Sequence, residues 1–309
     1  MTADKKIVRR PIDTTIDPDR CNGCGECVRV CPSLSIEMKE GKAVVTGRWS
    51  LGCGHCAAVC PAEAVTVGFV DDGALDLKTI ATGETTPAAV DFDAAALVRL
   101  MRSRRSCRNY LDRTVPKALL EDLVRIGTTA PSGTNSQLWS FTIIPDRRAV
   151  VALGEAARRF FRRLNGKAAS PLWRLLSKIF LRDALGAYYR DYHDTIEEGL
   201  RQWEGEGRDR LFHGAPAAIL VGSRPGASCP AEDALMASQN ILLAAHAAGL
   251  GTCMIGIIVE AMGNDPSIPR LLGIPAGERT HAAIAVGFPD ETYLAPAGRR
   301  EVRPRYFSP

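Results

Sequence analysis

Apolar positions along this chain change their rhythm twice. In the N-terminal part they come in short runs, Ser35 to Met38, Ala43 to Thr46 and Ala64 to Phe69, whose β-favouring residues predict small strands. From Asp71 to Val90 the periodicity fades, and Gly73, Gly83 and Pro87 among threonines and alanines read as a linker laid over a surface. A helical period starts at Asp93, with Leu97, Leu100 and Met101 on one face, before the apolar strand Phe141 to Ile144. Glu155 to Phe212 is helical, Gly214 to Gly222 a buried strand, Ala231 to Ala248 a long helix, and Ala283 to Val286 a strand closed by Gly287 and Pro289. The pattern predicts a small domain over 1–70, a linker over 71–92 and a larger domain over 93–309, into which the helical stretch 155–212 is inserted.

Ile241 to Val259 carries no charged residue and is about as long as a membrane span. Gly249 and Gly251 argue against a single helix there, because glycine just past an amphipathic helix is a common cap. The β-branched Thr252, Ile255, Ile257, Ile258 and Val259 then read as a buried strand.

The net charge of +4 is small for 309 residues, so composition points to no nucleic-acid partner. The basic N-terminus, with Arg9 and Arg10, runs into charged and turn-forming residues instead of an apolar secretory core. Ten cysteines without an export signal predict thiolates kept reduced in the cytoplasm, serving metal or catalysis rather than disulfides.

Their spacing is specific. Cys21, Cys24, Cys27 and Cys31 followed by Pro32 form C-x2-C-x2-C-x3-C-P, the run by which bacterial ferredoxins bind iron-sulfur clusters. Adding 29 to each number lands on Ser50, Cys53, Cys56, Cys60 and Pro61, so the motif occurs twice. In such folds the fourth cysteine crosses to the other cluster, giving one set of Cys21, Cys24, Cys27 and Cys60, and a second of Cys31, Cys53 and Cys56. Resemblance to two-cluster ferredoxins implies a thiolate where Ser50 stands. Serine is far harder to ionise than cysteine, which leaves open a serine-ligated 4Fe-4S cluster, a 3Fe-4S cluster or an outside ligand. C-x2-C pairs also hold zinc, but zinc does not call for this spacing and proline.

Two further segments are rich in polar ligands. Arg104-Arg105-Ser106-Cys107-Arg108 is a basic turn, suited to bidentate recognition of phosphate or a flavin's polar edge, though charge alone favours a solvated face. Pro131-Ser132-Gly133-Thr134-Asn135-Ser136-Gln137-Leu138-Trp139 offers both donors and acceptors, although many such loops are simple turns. Together they resemble the FMN-dependent nitroreductase family, whose opening motif is R-x-S-x-R/K and whose second is P-S-x-x-N-x-Q-P-W. Leu138 stands where the family often has proline. Gly249-Leu250-Gly251-Thr252-Cys253, followed by Met254, Ile255 and Gly256, is similar to a stretch whose backbone lies against the flavin, and Arg299 and Arg300 to C-terminal phosphate-binding cations.

The resemblance covers roughly residues 93 to 309, about one domain. It implies an α+β fold with a central mixed sheet wrapped by helices, and a homodimer that exchanges terminal segments. Two FMN sites would then lie at the interface. Leu235, Met236, Ile241, Leu242 and Leu243 lie on opposite faces of one helix, which suits a dimer core. The expected activity is an oxidoreductase passing electrons from ferredoxin or NAD(P)H, through the clusters and FMN, to a small nitro, quinone or unsaturated organic acceptor. An electron-transfer subunit without an organic substrate and a reductive dehalogenase are the alternatives. No catalytic side chain is nominated. Residues 155–190 carry a local charge of +7 interleaved with Phe160, Phe161, Leu172, Trp173, Leu175, Ile179 and Phe180, which suits a lid over the flavin, contact with a membrane surface, or plain packing.

Overall fold

The structure, a computed structural model, describes residues 10–81 and 93–308. The basic N-terminus over 1–9 and residues 82–92 of the expected linker lie outside the described residues.

The N-terminal unit is built from two near-repeats. In chain order it holds β1 (Arg10–Pro11), β2 (Thr14–Ile16), α1 (Glu26–Val30), β3 (Ile36–Lys39), β4 (Lys42–Val45), β5 (Trp49–Ser50), α2 (His55–Ala58) and β6 (Val65–Val67). Antiparallel pairs form between β1 and β5, β2 and β6, and β3 and β4. The 29-residue repeat extends to the backbone: Gly23 and Gly52 have φ of 75° and 59°, Gly25 and Gly54 75° and 73°, Leu34 and Glu63 50° and 47°. Glycine is needed at position 23 for space as well, since a Cβ there would meet the Gly41 carbonyl oxygen at 2.2 Å. Ile36, Ala43, Ala64, Val65 and Val67 form the core together with Cys21, Cys27 and Cys56.

Residues 71–81 are tied down rather than loose. The backbone N–H groups of Lys78 and Thr79 and the Thr79 hydroxyl donate to the carboxylate of Asp122, at 2.6 to 3.0 Å, and Arg125 donates to it at 3.1 Å. Asp122 is fully buried. Burial would raise its pKa, but these donors outweigh that and hold the carboxyl below its ordinary value.

The larger unit runs α3 (Ala94–Ser103), α4 (Lys117–Gly127), β7 (Trp139–Ile144), α5 (Arg147–Ala169), α6 (Pro171–Phe180), α7 (Ala184–Asp191), α8 (His193–Glu206), β8 (Ala217–Ser223), α9 (Pro230–Ala247), β9 (Gly251–Met254), α10 (Gly256–Asn264), α11 (Ser267–Leu271) and β10 (Arg279–Gly287). One sheet has the order β7-β8-β10-β9 with antiparallel ladders, and a parallel bridge between Ser106 and Thr252 on the β9 edge makes its pairing mixed. Strand alternation sorts its side chains into two cores. Ala217, Ile219, Val221, Ala282, Ile284 and Val286 face Leu120 and Leu123 of α4 and Ala237, Ile241 and Ala245 of α9. Ala218, Leu220, Ala283 and Ala285 face Leu153, Ala157 and Phe161 of α5 and Ile258 of α10.

One expectation is corrected. The strand ends at Met254, and Ile257, Ile258 and Val259 belong to helix α10. Ile258, Ala261 and Met262 are buried at helical spacing against the sheet, so tertiary packing overrides their β-branched preference. Among the described residues no helix is long and apolar enough to cross a membrane.

The stretch after β7 is helical as expected, but part of its charge is neutralised. Arg158 pairs with Glu155 and Glu204, Arg162 with Glu204, Arg163 with Asp265 and Arg190 with Asp183. On α6 the apolar Leu172, Leu175, Ile179 and Phe180 remain exposed.

Candidate functional site

Two cavities of nearly equal size lie in the N-terminal unit. One is lined by Cys21, Cys24, Cys27 and Cys60 with Ile16, Ala43 and Val65; the other by Cys31, Cys53, Cys56 and Ser50 with Pro32, Ser33 and Gly54. The fourth cysteine of each run has crossed to the other's site, as the spacing requires. Four cysteines around one cavity, and three cysteines with a serine around the other, are the kind of donor set an iron-sulfur cluster takes.

The repeat also supplies hydrogen bonds to the ligands. The Ala43 and Gly23 N–H groups lower the pKa of Cys21, and 29 residues on the Gly52 N–H donates to the Ser50 hydroxyl at 3.1 Å. Ser50 thus holds its oxygen where Cys21 holds its sulfur. Cys31 lies 3.4 Å from the Ser35 hydroxyl, and the equivalent Cys60 sulfur accepts from the Ala64 N–H at 3.3 Å. Burial raises the Cys31 pKa, but the Ser35 hydroxyl and backbone donors of Ser33, Leu34 and Ser35 leave it lowered; Cys27 and Cys56 are raised by burial.

In the larger unit, α3 ends at Arg104 and delivers Ser106 to the β9 edge, where the Cys107 N–H donates to Thr252 O at 2.9 Å. Glu291 fixes the next turn, accepting from the Arg108 N–H at 3.3 Å and the Asn109 amide at 2.7 Å. Gly251 is required by a neighbour in the protein: a Cβ there would meet Cys107 Cβ and Sγ at 2.7 Å. Met254, half exposed, and Ile255, buried, lead into Gly256 at the N-terminus of α10, and Arg104, Ser106 and Arg108 lie close to Thr252 and Cys253 at the start of this stretch, with Arg105 between them in the chain. Among the described residues none of the three guanidiniums takes part in an ion pair, and the Thr252 hydroxyl is buried without a partner. Free cations, an unspent hydroxyl and a helix N-terminus suit an anionic, hydrogen-bonding ligand. Cys107 and Cys253 are buried beside it, and burial pushes Cys107 up to about 11.

The second motif lies elsewhere. Asp233 on α9 organises it, accepting from the Gly133 N–H at 2.8 Å and the Ser136 hydroxyl at 3.4 Å, while the Trp139 indole donates to Asp233 O at 3.2 Å. Ser132 accepts from the Gln137 N–H at 3.1 Å, and Pro131 is exposed. Thr134, Asn135 and Gln137 all have left-handed φ, near 50°. Trp139 pairs with Ser223, and Ser223 with Arg279, whereas Thr252 pairs with Val286 at the other end of β10. Across four strands and along six or seven residues, the two motifs occupy diagonal corners of the sheet, on the order of 25 Å apart. Arg299 and Arg300 lie in the exposed C-terminal tail, where Arg299 donates to the Ala297 and Gly298 carbonyls.

Residues 101–288 match the model of the nitroreductase family. The chain belongs to that family. Nitroreductase-family membership makes it an oxidoreductase, and residues 13–61 add a match to a 4Fe-4S dicluster domain. The chain is 28% identical over 209 residues to an NADH dehydrogenase of Thermus thermophilus, covering 67% of this chain and 91% of that protein. To a 4-nitrobenzoate reductase of Nocardioides it is 26% identical over 222 residues, covering 66% and 83%. A solved nitroreductase with bound FMN from Bacteroides fragilis is 22% identical with a TM-score of 0.49, covering 66% of this chain and 94% of that one.

Asp122, Asp233 and Glu291 are the residues that sequence reasoning missed. Their signal is only that each is a carboxylate receiving backbone N–H groups from a loop far along the chain.

Proposed function

We propose that this chain is an iron-sulfur flavoenzyme that takes electrons one at a time from a low-potential donor and uses them to reduce a small organic acceptor. The observation that carries this reading is the crossed lining of the two N-terminal cavities, beside a family fold with an unpaired basic site. When bound, the clusters would supply one-electron storage and FMN the means to pass electrons on singly or as hydride.

Arg104, Arg105 and Arg108 would hold the anionic parts of FMN, with Ser106 and the Thr252 hydroxyl as neutral partners and the Gly256 end of α10 adding its dipole. A guanidinium at the flavin's polar edge favours added negative charge there. The diagonal placement of the two motifs supports a site to which Pro131, Ser132, Gly133 and Gln137 come from a second copy. Exposed Leu97, Val98 and Met101 on α3, Leu235 and Met236 on α9, and Leu294, Val302, Tyr306 and Phe307 in the tail fit that homodimer, with the tail carrying Arg299 and Arg300. Exposed α6 suits a lid over the acceptor. Ten cysteines with no disulfide among the described residues suit the reducing cytoplasm.

Anaerobic purification followed by iron, sulfide and flavin analysis tests the reading. About eight irons, or seven with a three-iron second cluster, and one FMN per chain are expected. Stopped-flow reduction with ferredoxin and with NAD(P)H then identifies the donor, and colourless protein overturns the proposal. A second reading, reductive dehalogenation, is favoured by an iodotyrosine deiodinase from Haliscomenobacter hydrossis, 25% identical over 222 residues; halide release would distinguish it.

A further inference from the structure

The two units are joined at a junction made by few side chains. Asn135 spends both amide hydrogens there, on Leu51 O at 3.2 Å and Gly52 O at 3.0 Å, while its oxygen accepts from Gln137 Nε2 at 3.1 Å. Arg10 closes the junction from the other side, donating to Leu51 O at 2.7 Å and to Asn135 O at 3.4 Å, with its guanidinium 3.2 Å from the Phe69 ring centroid. The side chain of Asn135 is therefore committed to the iron-sulfur unit, in a loop whose left-handed residues are held by these bonds.

Leu51 and Gly52 are the two residues between Ser50 and Cys53, and both of those line the second cavity. None of the residues lining the Cys21, Cys24, Cys27 and Cys60 cavity takes part in the junction. The two sites are chemically alike but differently placed.

We infer that electrons leave the iron-sulfur unit from the site of Cys31, Cys53, Cys56 and Ser50, through the Ser50–Cys53 loop clamped by Asn135 and Arg10, and enter the flavin held by Arg104 and Arg108 of the partner copy. This rests on the preceding reading, in which one FMN bridges the second motif of one chain and the first motif of the other. Each transfer oxidises the second cluster by one electron and reduces the flavin by one. Two transfers, with protons from solvent, complete the reduction, while a reduced ferredoxin-type carrier replaces each electron at the outer site. Electron flow thus crosses the dimer, and the cluster with the unusual serine makes the last hop.

Two experiments test this. In the Arg10→Ala variant, which keeps Asn135 and the flavin-site loop, iron and FMN contents and the cluster EPR spectra should match the parent. Amides of 49–54 should lose hydrogen-exchange protection. Flavin bleaching after mixing with reduced ferredoxin should slow severalfold, because with the clamp loosened the cluster loop and the flavin lose their fixed separation. Loss of FMN would show that Arg10 supports the flavin site instead, and an unchanged rate with both cofactors present would show that the clamp carries nothing; either overturns the inference.

The second experiment uses a heterodimer of one protomer with Cys53→Ala and Cys56→Ala and another with Arg104→Ala and Arg108→Ala. Its single remaining flavin site combines the first protomer's basic turn with the second protomer's loop. Transfer across the dimer predicts that this flavin bleaches, whereas transfer within a chain leaves it oxidised. Should the cysteine variant fail to fold, the clamp variant still decides. Failure of the underlying reading is seen separately, as parent protein lacking iron or FMN, or monomeric with FMN bound.

Discussion

The Gly52 N–H donates to the Ser50 hydroxyl as the Gly23 N–H does to the Cys21 sulfur, which supports the proposal of the serine as a ligand. Ser50→Ala should therefore cost one iron per chain and produce a three-iron EPR signal, while Ser50→Cys keeps four irons at the site and shifts its potential. Parent protein already showing the three-iron signal would remove the hydroxyl from coordination. Arg108→Ala should weaken FMN binding about tenfold or more, the worth of one hydrogen bond to a charged group, and lower the flavin potential. Asp122 gives a pH dependence. Its folded pKa is depressed, so the stability it contributes is present above its unfolded value and is lost as pH falls through the folded one, below the ordinary carboxylate range. Exchange protection of the Lys78 and Thr79 amides should fade in that acid window. Asp122→Ala should remove it at every pH and destabilise the protein by about 3 kcal/mol, as buried donors are left unpaired.

At the scale of elements, legibility follows the range of the forces involved. The cysteine runs could be read because their ligands lie within a few residues, and the strands of the sheet because each carries its own apolar alternation. Asp233 and Glu291 could not, since they act on loops 100 and 183 residues away and leave no period in the sequence. The Ile255 to Val259 stretch was ambiguous for a related reason: side-chain branching is a weak preference, and the facing sheet decides between strand and helix. Helix α9 was apolar on opposite faces, but only in the structure do Ile241 and Leu242 prove buried while Leu235 and Met236 stay uncovered. Replacing Leu235 and Met236 together by glutamate should convert the proposed dimer into a 33.3 kDa monomer by light scattering, with loss of FMN, because in that proposal half of each site leaves with the partner.

For the whole molecule, the two units differ in what holds them. The larger has two extensive cores on either side of its sheet, whereas the buried set of the iron-sulfur unit contains Ile36, Ala43, Ala64, Val65 and Val67, with three cysteines completing it. A unit this small gains only about 3–5 kcal/mol from such a core, so metal coordination must supply much of its stability. Stripping the iron under anaerobic conditions should then abolish a separate calorimetric transition belonging to residues 10–70 while leaving that of the larger unit in place. The Lys78 and Thr79 amides should keep their exchange protection, since Asp122 holds them independently of the clusters, whereas residues 49–54 should lose theirs. A single transition that survives iron removal intact would mean that the small unit stands on its own packing, and that the clusters are passengers rather than part of its core.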